Sequence, residues 1–158
     1  NNIIVSIIRP ALVYGDGMKG NLADMLNSIK KGWFPPLPET NNKRSMVSII
    51  DLVEAIIFIT LNQKSTHEIY IVTDGQQYSS RDIYNSLNSM LGKNPPKWAF
   101  PKLFFLLLAF VGNIFKFVPF DSNKYEKLFG SEYYSSDKIN RLGYIPKYNF
   151  SSYLERNN

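Results

Sequence analysis

Ile3-Ile-Val-Ser-Ile-Ile8 runs directly into Arg9-Pro10, and Ala11-Leu-Val-Tyr-Gly15 comes next. The first run is short, rich in β-branched residues and almost continuously apolar. That is the pattern of a strand covered on both faces, as in parallel sheets. The expected strand covers 3–9, and Pro10 ends it because proline brings no N–H to a ladder. Ala11 to Tyr14 stays extended and breaks at Gly15-Asp-Gly17.

Outward from this strand, Leu22, Met25, Leu26 and Ile29 recur at helical spacing, and Gly32 is placed to close that helix. Residues 33–44 carry three prolines and read as an irregular loop. Met46 to Ile50 reads as a short strand. Asp51 then stands where an N-cap belongs, ahead of a helix over 51–61 with Leu52, Ala55, Ile56 and Ile59 as its apolar stripe. A strand is expected over 68–72. A helix then runs from Ser79, which begins Ser79-x-x-Asp82, to about Leu91. Another short helix is expected over Asp137–Leu142, ended by Gly143. Strands alternating with helices make an α/β order. Two convincing strands are too few for a complete doubly wound sheet, so the expectation is a piece whose sheet partners lie upstream. The start, without Met or a basic leader, suggests the same and gives no signal peptide.

Residues 100–118 are strongly apolar. The uninterrupted part, Leu103 to Gly112, is about half of the roughly 20 residues that a membrane span needs. A helix docked on protein is the first reading of this segment, and a membrane-surface helix is the second.

Bulk composition narrows the function. With 44% hydrophobic and 20% charged residues, the 158-residue chain suits one globular domain rather than disorder. It has no cysteine and one histidine, His67. Cysteine nucleophiles, disulfides and Cys- or His-rich metal sites are excluded on that ground, and a cytoplasmic setting is consistent with it. His67 sits in a polar turn and reads as solvated. The net charge of +5 is scattered, with only Lys30-Lys31 and Lys43-Arg44 adjacent. Nucleic-acid surfaces carry denser basic stripes, so an anionic small molecule is the better partner.

Two motifs imitate catalytic signatures. Gly15-Asp-Gly-Met-Lys-Gly20 fits G-x-G-x-x-G between a strand and a helix. The second strand and acidic end that this fingerprint requires would fall on Trp33-Phe-Pro-Pro-Leu-Pro-Glu39, where proline blocks regular pairing. Tyr134-Ser-Ser-Asp-Lys138 fits Y-x-x-x-K, with Ser122 twelve residues upstream. Ten tyrosines and thirteen lysines in 158 residues give about one such match by chance. Neither motif is expected to be catalytic.

Taken in order, Arg9-Pro-Ala-Leu-Val-Tyr-Gly15, Gly20-Asn-Leu22, Lys43-Arg-Ser-Met-Val-Ser-Ile-Ile-Asp-Leu-Val-Glu-Ala55, Tyr70-Ile-Val-Thr-Asp-Gly75, Lys127-Leu-Phe-Gly-Ser131 and Asp137-Lys-Ile-Asn-Arg-Leu-Gly-Tyr-Ile-Pro146 resemble the extended short-chain dehydrogenase/reductase family, in its UDP-glucose 4-epimerase branch. The likeness runs from about residue 3 to about residue 155 and lies in order and spacing. It implies the C-terminal part of a Rossmann-type fold: the last sheet strands plus a small, mostly helical substrate-binding lobe. In those terms the chain divides into a strand at 3–9, a substrate loop and helix at 15–44, a helix at 51–61, a strand at 68–72 and a helical lobe at 79–155, with the NAD-binding core absent.

The resemblance also implies roles. Pro10 and Ala11 fall at the strand end beside the nicotinamide of NAD. Leu12 replaces a polar substrate contact of some epimerases. Asn21 and Leu22 match a substrate-contacting pair at a helix start, where free N–H groups suit a diphosphate. Pro36, Leu37 and Pro38 match the stretch flanking the uracil. Arg44 matches the diphosphate-binding arginine, whose charged fork suits that task. Lys127 falls near a second phosphate-binding position. No catalytic residue and no metal site is expected within the chain. The function implied is that of a UDP-sugar-binding portion of an NAD-dependent epimerase, dehydratase or 4-keto reductase of polysaccharide precursor synthesis, inactive alone. A homodimer of the full-length parent is compatible with this; nucleic acid and membrane are not expected partners. The alternative is a membrane-surface or partner-binding protein acting through 100–118.

Overall fold

The computed structural model describes residues 5–62, 68–115, 117–118 and 120–156. His67 and the first two residues of the expected strand lie outside these. Four short strands and seven helices are described. They are β1 Ile7–Pro10, β2 Leu12–Tyr14, α1 Asn21–Lys30, β3 Met46–Ser48, α2 Ile49–Leu61, β4 Ile69–Val72, α3 Ser80–Met90, α4 Lys102–Ile114, α5 Ser122–Phe129, α6 Asp137–Arg141 and α7 Phe150–Arg156. They fall into two compact units. Unit 1 holds Asn1–Leu22, Ser45–Gln77 and Tyr133–Asn158; unit 2 holds Ala23–Arg44 and Tyr78–Glu132.

Unit 1 carries all four strands. β1 pairs parallel with β4, in the register Ile7 to Ile69 through Pro10 to Val72, and β2 pairs parallel with β3. Pro10 lies within β1 rather than after it. Ile7 and Ala11 donate to β4-side carbonyls, of Glu68 and Val72, at 2.9 and 3.0 Å, so the alternating N–H of position 10 faces away from β4 and its absence costs that ladder nothing. The chain changes partner between Ala11, which bonds Val72, and Leu12, whose N–H reaches the Ser45 carbonyl.

α2 starts earlier than its sequence suggested. Ser48, not Asp51, is the N-cap: its hydroxyl accepts from the Asp51 N–H at 2.9 Å and donates to the Asp51 carboxylate at 2.7 Å. Asp51 is therefore the third helical residue, and it is fully buried. Its carboxylate also accepts the N–H groups of Lys147 and Tyr148, at 2.8 and 3.1 Å, which ties the chain after α6 to the start of α2. Val47, Ala55, Ile59, Tyr70, Val72, Ile139 and Tyr144 form the core of this unit.

Unit 2 is helical. At the end of α1 the Gly32 N–H bonds Ile29 and the Trp33 N–H bonds Ser28, with Gly32 at φ +73°, so the glycine closes the helix as expected. α3 begins with the full capping box of Ser79 and Asp82. α4 buries Phe105, Ala109 and Gly112, packs beside α5, and leaves most of its other apolar side chains exposed. No described helix is long and apolar enough to cross a membrane. Apolar periodicity alone had singled out neither α5, capped by Asp121, nor α7 in unit 1.

Candidate functional site

In unit 2 the proline-rich loop 33–44 is held by side chains of α3. Asn42 is buried; its amide donates to the Ser80 hydroxyl at 3.0 Å and to the Gly130 carbonyl at 3.1 Å, while its oxygen accepts the Ser80 N–H at 3.1 Å. Arg81, also buried, donates to the carbonyls of Leu37 and, at 2.8 Å, Pro96, and its guanidinium lies 5.5 Å from the Tyr84 ring centre. Pro36 accepts from the Phe100 N–H at 3.1 Å. Pro36 and Leu37 are buried, and Pro38 is partly open.

Arg44 stands at the end of this loop, and its backbone lies between two other chain segments. It exchanges N–H and carbonyl bonds with Tyr78, at 2.9 and 3.0 Å, while the neighbouring Lys43 carbonyl accepts the Glu132 N–H at 2.8 Å. The side chain is buried, 8% exposed as a residue. One terminal nitrogen meets the Glu132 carboxylate at 2.9 Å, the other the Lys127 carbonyl, and Nε has no hydrogen-bond partner among the described residues. Among the described residues this buried, permanently charged fork therefore has one ionic partner, a half-exposed carboxylate (54%). A multivalent anion could take the carboxylate's place and use bidentate geometry. Lys127 is brought to Arg44, but through its backbone carbonyl; its side chain is on the exposed surface of α5.

The remaining expected site residues lie in unit 1. Pro10 is exposed and Ala11 buried at the β1 end, where the Ala11 N–H is used by β4. Asn21, exposed, is the first residue of α1, and Leu22 is buried beside it in sequence. Tyr14, 1% exposed, directs its hydroxyl at Asp74 and the Tyr148 carbonyl, both 3.2 Å away, and its ring meets Phe150 and Tyr153 edge-on at 5.0 and 5.4 Å.

The two imitative motifs serve structure. A Cβ on Gly15 would come within 2.5 Å of Ile49 and 2.9 Å of the Tyr153 hydroxyl, so this glycine is required by packing against α2 and α7. Gly17 and Gly20 adopt φ of +72° and +68° in the turn before α1. No strand comes after α1 at Trp33–Glu39, and Glu39 faces Arg81 at 3.7 Å. Lys138 is paired with Glu68, near the Tyr70 ring, and this contact holds the Glu68 carboxyl below its usual range. Ser122 exchanges hydrogen bonds with Asn113 at the start of α5. No group of three or more His, Cys, Asp or Glu able to hold a metal occurs among the described residues.

The sequence singles out neither Asn42, Arg81 nor Glu132, and offers Ser80 only as a helix cap, a place that Ser79 takes. Their partners lie 15 to 88 positions away, so no local pattern announces them. Asp51 reads as a cap from the sequence but stands as the third residue of α2. Ser48-x-x-Asp51 ahead of an apolar run was the available signal.

No family model matches the chain. It is 39% identical over 100 residues, 61% of its length, to UDP-glucose 4-epimerase of Vibrio cholerae. It is 23% identical over 157 residues to the N-acetyl-α-D-glucosaminyl-diphospho-ditrans,octacis-undecaprenol 4-epimerase of Escherichia coli O157:H7. Its homologues are UDP-glucose 4-epimerase and related epimerases. The chain spans 29% and 47% of the lengths of these two relatives. Its fold is that of the extended short-chain dehydrogenases. It superposes with TM-score 0.65 and 18% identity on the UDP-glucuronic acid 4-epimerase of Bacillus cereus in complex with UDP-glucuronic acid and NAD, covering 97% of itself and 43% of that chain.

The Bacillus cereus neighbour is in complex with NAD. The glycine loop is committed to packing and turn geometry, and the ladder has consumed the Ala11 N–H.

Proposed function

We propose that this chain is the nucleotide-sugar-binding portion of an NAD-dependent epimerase, dehydratase or 4-keto reductase that makes polysaccharide precursors, with a UDP-sugar as its ligand. Arg44 carries the proposal: a buried guanidinium with one carboxylate partner among the described residues, in the stretch Lys43–Ala55 that resembles the epimerases. Arg44 takes the diphosphate, and loop 36–38 flanks the base. Asn21 and Leu22 also belong to the substrate, Lys127 adds positive charge, and Pro10 and Ala11 touch NAD. The chain binds and positions; proton and hydride transfer belong to residues outside it, so the 158 residues alone turn over no UDP-sugar.

Calorimetric titration of UDP into the chain tests this reading. Arg44→Lys keeps the charge but loses the fork, and it should weaken binding about tenfold, which is about 1.4 kcal/mol. Unchanged affinity in a folded Arg44→Lys protein would refute the assignment.

A second reading concerns the sugar carrier. The relative matched over 96% of this chain is named for a polyprenyl-linked sugar, and α4 exposes apolar side chains. A diphosphate carried on such a lipid would use the same arginine. Competition between UDP and a short-chain polyprenyl diphosphate sugar separates the two carriers.

A further inference from the structure

α4 is apolar on two faces, and the fold uses one. Phe105, Ala109 and Gly112 form the buried stripe; a Cβ on Gly112 would overlap the Phe120 carbonyl oxygen, which shows how closely the chain before α5 approaches. Leu103, Leu106, Leu107, Phe110 and Ile114 recur at intervals of three and four, and all are exposed, Leu107 by 58% and Phe110 by 63%. That spacing makes a second continuous apolar stripe. Soluble monomers seldom leave such a contiguous patch to water.

Charge indicates what covers it. Between Ile83 and Phe120 there are four lysines, Lys93, Lys97, Lys102 and Lys116, and no aspartate or glutamate. Lys97 and Lys102 are exposed at the N-terminal end of α4, next to Trp98, which is also exposed. An outward apolar stripe, flanking lysines and an indole at the boundary are the features of a helix lying in the headgroup layer. α4 has 13 residues, about 20 Å of helix. That suits lying along a surface and is too short for crossing it.

We infer that the outer face of α4 docks this chain on an anionic phospholipid surface, with Leu103, Leu107 and Phe110 entering the acyl boundary and Lys97 and Lys102 meeting the headgroups. The face would act in this way whatever ligand the chain binds.

The test is co-flotation of the 158-residue chain with vesicles of phosphatidylcholine alone or with phosphatidylglycerol making up about a third of the lipid. Trp98 fluorescence is followed in a Trp33→Phe background. The expected result is binding to the anionic vesicles with a blue shift of Trp98. Neutralising Lys97 and Lys102 to glutamine should weaken that binding about fivefold per lysine. Leu107→Glu with Phe110→Glu should abolish it while the circular dichroism is unchanged, since both positions are exposed. No binding to anionic vesicles overturns the inference, as does binding that survives the double glutamate. A concentration-dependent dimer in sedimentation that the same double variant dissolves also overturns it, because the face would then belong to a second copy.

Discussion

Glu132→Gln separates a ligand-binding Arg44 from a merely structural one. The two charges stand 2.9 Å apart, a separation worth about 1.4 kcal/mol in bulk water and about 6 kcal/mol at an effective dielectric of about 20. The Arg44 side chain is 10% exposed but that of Glu132 is 54% exposed, so water screens the pair and the lower end applies, about 1 kcal/mol. A diphosphate that binds Arg44 must displace this carboxylate or share the guanidinium with it. Glutamine keeps the shape and removes the competing charge. UDP should then bind about fivefold more tightly, the equivalent of about 1 kcal/mol. The same change should lower the melting temperature by about 2–4 °C, because the free protein loses its ion pair. Calorimetric titration and a thermal melt on the same preparation read both quantities. A lower melting temperature with unchanged or weaker UDP binding would mean that Glu132 and Arg44 hold unit 2 together and nothing more.

Three further outcomes concern stability. Asp51→Asn removes an acceptor from a buried carboxylate that takes bonds from Ser48, Lys147 and Tyr148; it strands at least one donor, and the expected cost is about 2–4 kcal/mol in denaturant unfolding. Gly112→Ala drives a methyl into the Phe120 carbonyl oxygen, so α4 and the start of α5 must separate; a loss above about 2 kcal/mol is expected, whereas Gly17→Ala, with open space around it, should cost only its backbone strain of about 1 kcal/mol. Burial, together with the charges of Asp51 and Glu54, holds the Tyr144 phenol above its ordinary value near 10. A folded-state pKa raised in this way contributes stability in full below about pH 10. It is lost as the pH rises further, because the unfolded chain gives up its proton first. Urea midpoints should therefore fall above about pH 10, and Tyr144→Phe should remove part of that fall while losing the 2.6 Å bond to the Asp51 carbonyl.

Two signals confined to a few neighbouring residues hold in the structure. The Ser79/Asp82 box and Gly32 each act through bonds spanning no more than five positions, and both stand where the sequence placed them. Ile49 and Ile50 extend the expected strand but open α2 instead, because Val-Ser-Ile-Ile is equally apolar as strand and as helix. Ser48 decides between them by capping, with its own third neighbour as partner. The candidate site was legible only by halves. Arg44 could be named from the motif around it, but not that it would be buried, nor that Glu132, 88 positions away, would hold it. Proline position and charge are local facts, whereas which carboxylate meets which guanidinium is settled by the packing of α3, α5 and the loop.

The strand that decided the fold shows where pattern and burial part. The run around Ile7 is apolar without alternation, as strands are when both faces are covered, yet Val5, Ile7 and Ile69 are exposed in and beside the β1–β4 pair. On α2, Val53, Ile56, Ile57 and Leu61 are likewise exposed, although Ala55 and Ile59 between them are buried. These residues have the composition of an interior and the accessibility of a surface. Two parallel strands cannot cover both of their own faces, and one helix cannot bury its whole circumference against them. In the relatives more than half of the chain lies outside the matched part. Such faces suit contact with further polypeptide. Arg44 does not depend on that contact, because every contact that fixes it is made within unit 2.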